Sequence, residues 1–372
     1  MSFRVCYVVN KVSETSVPAT IGTALVENAG IEVDILAWFE TESFEGEDKL
    51  GISCLNAPKT TLGIDRQSYA ALERELGTYD LVQAHHTHSG SFAKVAAVRQ
   101  GVPVVSREGN TRDGFTRKGR IANGLTNRWA DRIVCNSPAV YESFTRWERW
   151  LVDGDRVTLI PNGVDIARVD EARTDDWDVR AERGIPADSV LIGTAASLTE
   201  QKGLDTLVRG FAKADENADH RLDLVIAGDG PLSNDLGGLA RSEGIADRVH
   251  LLGRIPRRTV YRLFAQLDIY AMPSRWEGFP NAAVEAMAAR NACVFSDIDV
   301  FTDAYDSVAL FHGVDDVNEL AEQLLVLAEE PQKRDRLSER GRKLIEEKYT
   351  LETVADQYYD LYCEVLGEHG KR

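Results

Sequence analysis

Short runs rich in β-branched and aromatic residues recur along this chain, with longer amphipathic segments between several of them, and that alternation limits the fold more than any composition figure. Arg4 to Val9, Glu32 to Phe39, Leu81 to Ala84, Pro103 to Ser106, Arg132 to Cys135 and Val157 to Ile160 read as buried strands. A polar, Asp-rich stretch over 169–188 then breaks the pattern, with Gly184 and Pro186 as interruptions. The pattern resumes with Val190 to Ala195, Leu222 to Ala227, Val249 to Leu252, Ile269 to Met272, Cys293 to Ser296 and Ala309 to His312, each followed by helical sequence. Strands separated by helices pair in parallel with helices over the faces. The expectation is an α/β protein of two doubly wound domains facing a cleft, with ligands at the strand C-termini.

A length of 372 residues with 43% hydrophobic content fills two such cores. The formal charge of −17 excludes a nucleic-acid partner, because binding there depends on Lys and Arg neutralising phosphates. The 60 acidic residues are spread along the chain and accompany 11 Lys against 32 Arg, a composition that suits a high-salt cytoplasm. Five scattered cysteines, none in C-x-x-C spacing, read as reduced core residues. No apolar run reaches the length of a membrane-spanning helix and Val5 to Val9 is too short for a signal-peptide core, so the expected location is cytoplasmic.

The chemistry concentrates in Met272 to Met287, M-P-S-R-W-E-G-F-P-N-A-A-V-E-A-M. Glu277 follows a strand, and Glu285 lies about one turn into a helix beginning near Asn281. Pro280 has no N–H, which leaves the amides of Asn281, Ala282 and Ala283 at the helix start, where an anion such as a diphosphate is favoured. Carboxylates there accept hydrogen bonds from sugar hydroxyls. Upstream, Gly193 to Gly203 ends a strand with Lys202 before a helix, but Leu204 and the spacing rule out a Walker A loop. Ala227-Gly-Asp-Gly-Pro231 and Leu252-Gly253-Arg254 follow two further strands, where glycine lets backbone approach a ligand.

Together these elements resemble the GT-B glycosyltransferases, specifically the retaining family 4 (glycosyltransferase group 1), over nearly the whole chain. The likeness rests on I-P-N-G-V-D at 160–165, Q-K-G at 201–203, G-D-G-P at 228–231, P-S-R-W-E-G-F-P-N at 273–281 and E-A-M-A at 285–288. It implies two Rossmann-like doubly wound domains facing a cleft. Residues 1–168 would bind the acceptor and be joined by a closing helix within 351–372, 169–188 would be a linker, and 189–350 would bind the nucleotide sugar. The implied reaction moves a hexose with retention from a UDP- or GDP-sugar to a glycan or lipid-linked acceptor in cell-surface glycan synthesis. Neither a metal nor a cofactor beyond this co-substrate is implied. Carried over by position, Glu285 binds the ribose hydroxyls, Lys202 holds the diphosphate, and Glu277 lies beside the donor sugar. Gly278, Phe279, Asn281, Ala282 and Ala283 complete the donor side with Ser197, Gly253, Arg254 and Arg275. The resemblance also implies a front-face route in which the departing phosphate oxygen takes the acceptor's proton.

Departures from the family pattern are equally specific. Ser197 stands where the family commonly has an arginine sharing the diphosphate charge, and Arg254 and Arg275 are the candidates to replace it. The first loop, Asn10 to Thr20, lacks the usual Gly-Gly turn. His85, His86 and His88 cluster after a strand without a cysteine or nearby acid to complete a metal site, so His85 is taken as an acceptor contact with a catalytic role, and His86 lies beside it. Glu108 or Asn110 takes the place of a missing acceptor-side histidine. Asp297-Ile298-Asp299 reads as turn and cap chemistry, and Asp303 is the nearest equivalent of a donor-facing glutamate. Between 107 and 132, seven basic residues stand against three acidic ones, with Trp147 and Trp150 following, a pattern compatible with peripheral membrane contact or with a solvated helix end. An epimerase of the same fold and a silent nucleotide-sugar-binding scaffold remain as alternatives.

Overall fold

The computed structural model describes residues 3–13, 16–43, 47–58, 65–174 and 176–370. Glu14 and Thr15 of the first loop, Asp175 of the expected linker and the last two residues of the closing segment lie outside the described residues. The chain divides into two compact units, Met1–Gly163 with Leu351–Arg372, and Val164–Thr350.

In the first unit, strands β1 (Arg4–Val12), β2 (Glu32–Thr41), β3 (Gly51–Cys54), β4 (Leu81–His85), β5 (Val104–Glu108), β6 (Arg132–Cys135) and β7 (Val157–Leu159) form one parallel sheet in the order β3-β2-β1-β4-β5-β6-β7. The second unit pairs β8 (Val190–Ala195), β9 (Leu222–Ala227), β10 (Val249–Gly253), β11 (Ile269–Met272), β12 (Ala292–Ser296) and β13 (Ala309–His312) as β10-β9-β8-β11-β12-β13, also parallel. Each order reverses once, between β1 and β4 and between β8 and β11, and these reversals open a crevice at the strand C-termini. The short edge strand β3, G-I-S-C, escapes the sequence reading because four half-exposed residues carry too little pattern.

The 169–188 stretch is not a linker. It folds into the second unit as helices Ile166–Glu171 and Val179–Arg183, with Val169 and Val179 fully buried. Two of its aspartates that suggested a loop cap or brace helices instead: Asp178 accepts from the amides of Arg180 and Ala181, and Asp170 pairs with Arg342 at 2.7 Å. Arg180 donates to Asp268 at 3.0 Å, fixing this segment beside β11.

The final helix, Leu351–His369, packs on the helix Val17–Ala29 in the first unit. Its inner face carries Tyr358 and Tyr362, both fully buried. The Tyr362 hydroxyl donates to Gln83 Oε1 at 2.6 Å and therefore accepts from Tyr7 at 2.8 Å, while Arg107 Nε donates to the Tyr358 hydroxyl at 3.1 Å. Burial would make any unmade bond here expensive. Tyr362→Phe strands two buried polar groups, and we expect it to lower unfolding free energy by about 1–3 kcal/mol in urea titrations; a loss near zero would show that the trio does not secure the helix.

Candidate active site

Two loops at the reversal point of the second sheet build the site. The first follows β8 and ends in the turn Glu200–Lys202; the second follows β11 and leads into the helix Asn281–Ala288. They meet with no room to spare: Gly203 has φ 58°, and a Cβ there would lie 2.1 Å from the Pro273 carbonyl oxygen. Arg275 N donates to Gln201 O and Gln201 Nε2 to Trp276 O, each at 2.8 Å. The clamp brings Lys202 Nζ to 2.5 Å from Glu277 Oε1, which also accepts from Ser274 Oγ at 2.7 Å. Ser296 Oγ, at the end of β12, donates to the Ser274 carbonyl at 2.5 Å. Glu277 is buried, so a strand-end hydroxyl and an ammonium offset its desolvation.

The start of the loop after β8 and the helix Asn281–Ala288 also border a cavity of about 440 Å³ lined by Ala195 to Ser197, Ala227 to Asp229, Arg254, Ile255, Arg257, Val260, Ala282 and Glu285. Its floor explains G-D-G-P. A Cβ on Gly228 would sit 1.8 Å from the Ala196 carbonyl oxygen, and one on Gly230 would sit 2.5 Å from that of Leu198. Leu198 N donates to Asp229 O at 2.9 Å and Gly228 N to Gly253 O at 2.8 Å, so three loops are bound backbone to backbone. Glu285 lines the cavity, and its carboxylate pairs with the Arg257 guanidinium, which also stacks over Tyr261. Sequence reading did not single out Arg257. Its signal was the basic run R-I-P-R-R at 254–258 opening a helix beside the Gly253 turn, where φ is 68°.

Several expected donor contacts need correction. Asn281 N donates to Phe279 O at 3.1 Å and Ala283 N to Pro280 O at 3.0 Å, because the helix start tightens into turns and uses these amides itself. Ala283 is fully buried, and Ala282 is the member of the three that lines the cavity. Arg275 is not in that cavity. It lines a separate one with Asp205 and Asp315, reaching Asp205 at 3.0 Å, Asp315 at 2.8 Å and the Glu200 carbonyl at 2.5 Å. Its guanidinium is spent on bracing the loops. Arg254 and Ser197 line the 440 Å³ cavity. Gly278 is half-buried, and the Phe279 ring lies 6.1 Å from that of Tyr349. Asp297 Oδ1 accepts from Val314 N at 3.0 Å, and Asp303 is exposed.

In the first unit, His85 is buried, 3.0 Å from Gln83 Nε2 and against the Tyr7 ring. Burial, followed by the Arg107 charge, pushes its pKa well below the ordinary value, and the side chain expected at the acceptor is packed among interior partners. His86 is exposed with φ 63°, and its Nδ1 accepts from Asn10 N at 3.3 Å. Asn110 is also exposed. Glu108, expected on the acceptor side, is instead sealed in a polar network. Arg112 binds it at 2.9 Å, Asn123 at 2.9 Å and Asn127 at 2.8 Å, and Arg112 continues to Glu148 at 2.8 Å. No group of three or more His, Cys, Asp and Glu among the described residues is arranged for a metal.

Burial by itself would raise the Glu108 pKa, but the Arg112 and Lys94 charges and the two asparagines hold it down at about 2. A depressed carboxylate stabilises the fold above its unfolded value near 4.5 and loses that contribution as pH falls through about 2. Urea unfolding followed from pH 7 to 2 should therefore show a loss of about 3 kcal/mol assignable to this group. Glu108→Gln should start less stable at pH 7 and show a shallower slope; equal slopes would remove Glu108 from the account.

The model for "Glycosyl transferases group 1" matches residues 175–344, and that for "Glycosyltransferase Family 4" matches 17–168. A putative glycosyltransferase, EpsF, of Bacillus subtilis (strain 168) is 33% identical over 232 residues, covering 60% of this chain and 59% of the relative's length. An Escherichia coli protein named UDP-Gal:alpha-D-GlcNAc-diphosphoundecaprenol alpha-1,3-galactosyltransferase is 28% identical over 247 residues, 62% of this chain and 60% of its own. The crystal structure of Anabaena Alr3699/HepE in complex with UDP and glucose superposes with a TM-score of 0.79 at 18% identity, covering 97% of this chain and all of that one. With both halves matched and the two-sheet architecture shared, the chain belongs to the GT-B glycosyltransferases of the group 1/family 4 type.

Proposed function

We propose that this protein transfers a hexose, with retention, from a UDP- or GDP-sugar to a glycan or lipid-linked acceptor in cell-surface glycan synthesis, working from the cytoplasm. The observation that carries this reading is that the segment after β8 supplies Lys202 and a wall of the cavity, while the segment after β11 supplies Glu277 and the cavity-lining Glu285. A diphosphate leaving group gains negative charge as the glycosidic bond breaks, and an ammonium fixed at a strand end favours that state over the ground state. Without donor, Glu277 holds the ammonium in place. With donor, the same carboxylate faces a sugar ring acquiring positive charge.

Glu285 would accept the two ribose hydroxyls once Arg257 releases it. Freed, Arg257 joins Arg254 in the cavity, and together they supply the positive charge that Ser197 does not. Side-chain cations would then serve where a divalent metal serves other transferases. The names of the relatives are consistent with a uridine donor and a diphosphate-lipid acceptor. The departing phosphate oxygen would take the acceptor's proton.

Thermal shift with UDP- and GDP-sugars in rising KCl identifies the donor, and a hundredfold excess over Kd stabilises the fold by roughly 2.7 kcal/mol. We expect Lys202→Ala to lower donor hydrolysis or transfer of the folded fraction about 100- to 1,000-fold, and to lower the melting temperature as Glu277 loses its ammonium; wild-type turnover would sink the assignment. Nucleotide affinity separates the two arginines. Arg257→Gln should change donor Kd about tenfold, whereas Arg275→Gln should lower the melting temperature and leave the Kd of the folded fraction unaltered. The reverse pattern would place the charge on the wrong side of the loop.

A further inference from the structure

Helix Arg117–Asn127 is built inside out. A helix on a core normally buries its apolar stripe, yet here Asn123, Thr126 and Asn127 face inward and are buried. Asn123 and Asn127 donate to Glu108, and both accept from the fully buried Lys94, whose Nζ lies 2.8 Å from Asn123 Oδ1. Gly124 leaves space for the neighbouring helix, Arg146–Leu151: a Cβ there would be 2.4 Å from the Trp147 ring. Arg112, bridging Glu108 and Glu148, ties that second helix to the same network.

What remains outside is the apolar side. Ile121 and Leu125, one turn apart on the helix, are 45% and 47% exposed, and Trp129, in the turn that follows it, is 42% exposed. Trp147 and Trp150, on the adjacent helix, are 37% and 83% exposed. Arg117, Lys118, Arg128 and Arg146 are exposed on the same two segments, and residues 117–127 contain no Asp or Glu. Over 112–150 eight basic residues meet four acidic ones, one of which, Glu148, is buried in the network, in a chain of net charge −17. Basic and aromatic side chains interleaved on one solvent face are what a headgroup region accepts, with rings at the acyl boundary and cations among the phosphates.

We propose that this face docks the protein on an anionic lipid bilayer. A second copy fits it poorly, since an isologous pair would set the same cations against one another. The choice of a membrane as the anionic surface rests on the proposed lipid-linked acceptor, while the face itself is carried by residues outside the donor site.

Flotation with vesicles of phosphatidylglycerol and phosphatidylethanolamine, against phosphatidylcholine alone, tests this at roughly 0.15 M KCl. The protein should float with the anionic vesicles, with tryptophan emission shifted to the blue, and binding should weaken as KCl rises. Ile121→Glu with Leu125→Glu, and separately Trp150→Ala, should each cut vesicle affinity, the double variant about tenfold or more. These positions are solvent-exposed, so melting temperatures should not move. Absence of binding to anionic vesicles overturns the proposal, as does binding that the variants leave intact. A wild-type dimer in sedimentation equilibrium that the double variant dissolves also overturns it, in favour of a second copy on this face. Donor thermal shifts measured on the same samples separate the two readings: failure to float with donor binding intact removes docking alone, and floating without any donor binding removes transfer alone.

Discussion

The site in the second unit depends on how closely the loops after β8 and β11 approach. That approach is a backbone matter before it is a side-chain one. Gly203 against the Pro273 carbonyl, Gly228 against that of Ala196 and Gly230 against that of Leu198 remove the space any Cβ would need. With the loops at that separation, Lys202 reaches Glu277 without spanning solvent, and the pair forms partly shielded, with the Lys202 side chain 17% exposed and that of Glu277 6%. An ion pair so placed keeps more of its strength than one on the surface. Arg275 holds the same junction from the far side through Asp205 and Asp315.

This division of labour explains which parts of the site were legible in the sequence. Lys202, Glu277 and Glu285 could be read because their neighbours are glycines and prolines whose backbone demands leave a mark at fixed spacing. Arg275 was misread because position in a strand-end loop does not tell which side of the loop a long side chain takes. Arg257 went unnoticed because its partner, Glu285, is 28 residues away on another element, and no local pattern encodes that meeting. The alternation of strands gave the architecture; the four-residue β3 and the capped helices of 169–188 departed from it where polar or short segments mimic loops, and the first unit ends at Gly163 and not at 168.

The first unit shows the opposite failure. His85 and Glu108 close strands β4 and β5, where a polar residue ordinarily signals a ligand. Each is buried with its own partners instead. For Glu108 the warning was present downstream: Asn123, Thr126 and Asn127 share one helical face, an arrangement that makes sense only if that face meets buried charge.

A buried cluster of Lys94, Glu108, Arg112 and Glu148 is not an economical way to hold a helix down. Apolar packing of equal volume often does as well or better, because each charge must be desolvated before it can be paired. Here the cluster does something apolar packing cannot do: it anchors helix 117–127 by its polar side and leaves Ile121, Leu125 and Trp129 pointing outward. Turning the helix by half a revolution would bury the apolar stripe but strand Lys94 and Glu108 without partners, a loss on the order of several kcal/mol for each unpaired charge. The network therefore fixes the orientation of the exposed face, and the surface chemistry of this unit follows from charges that never meet solvent.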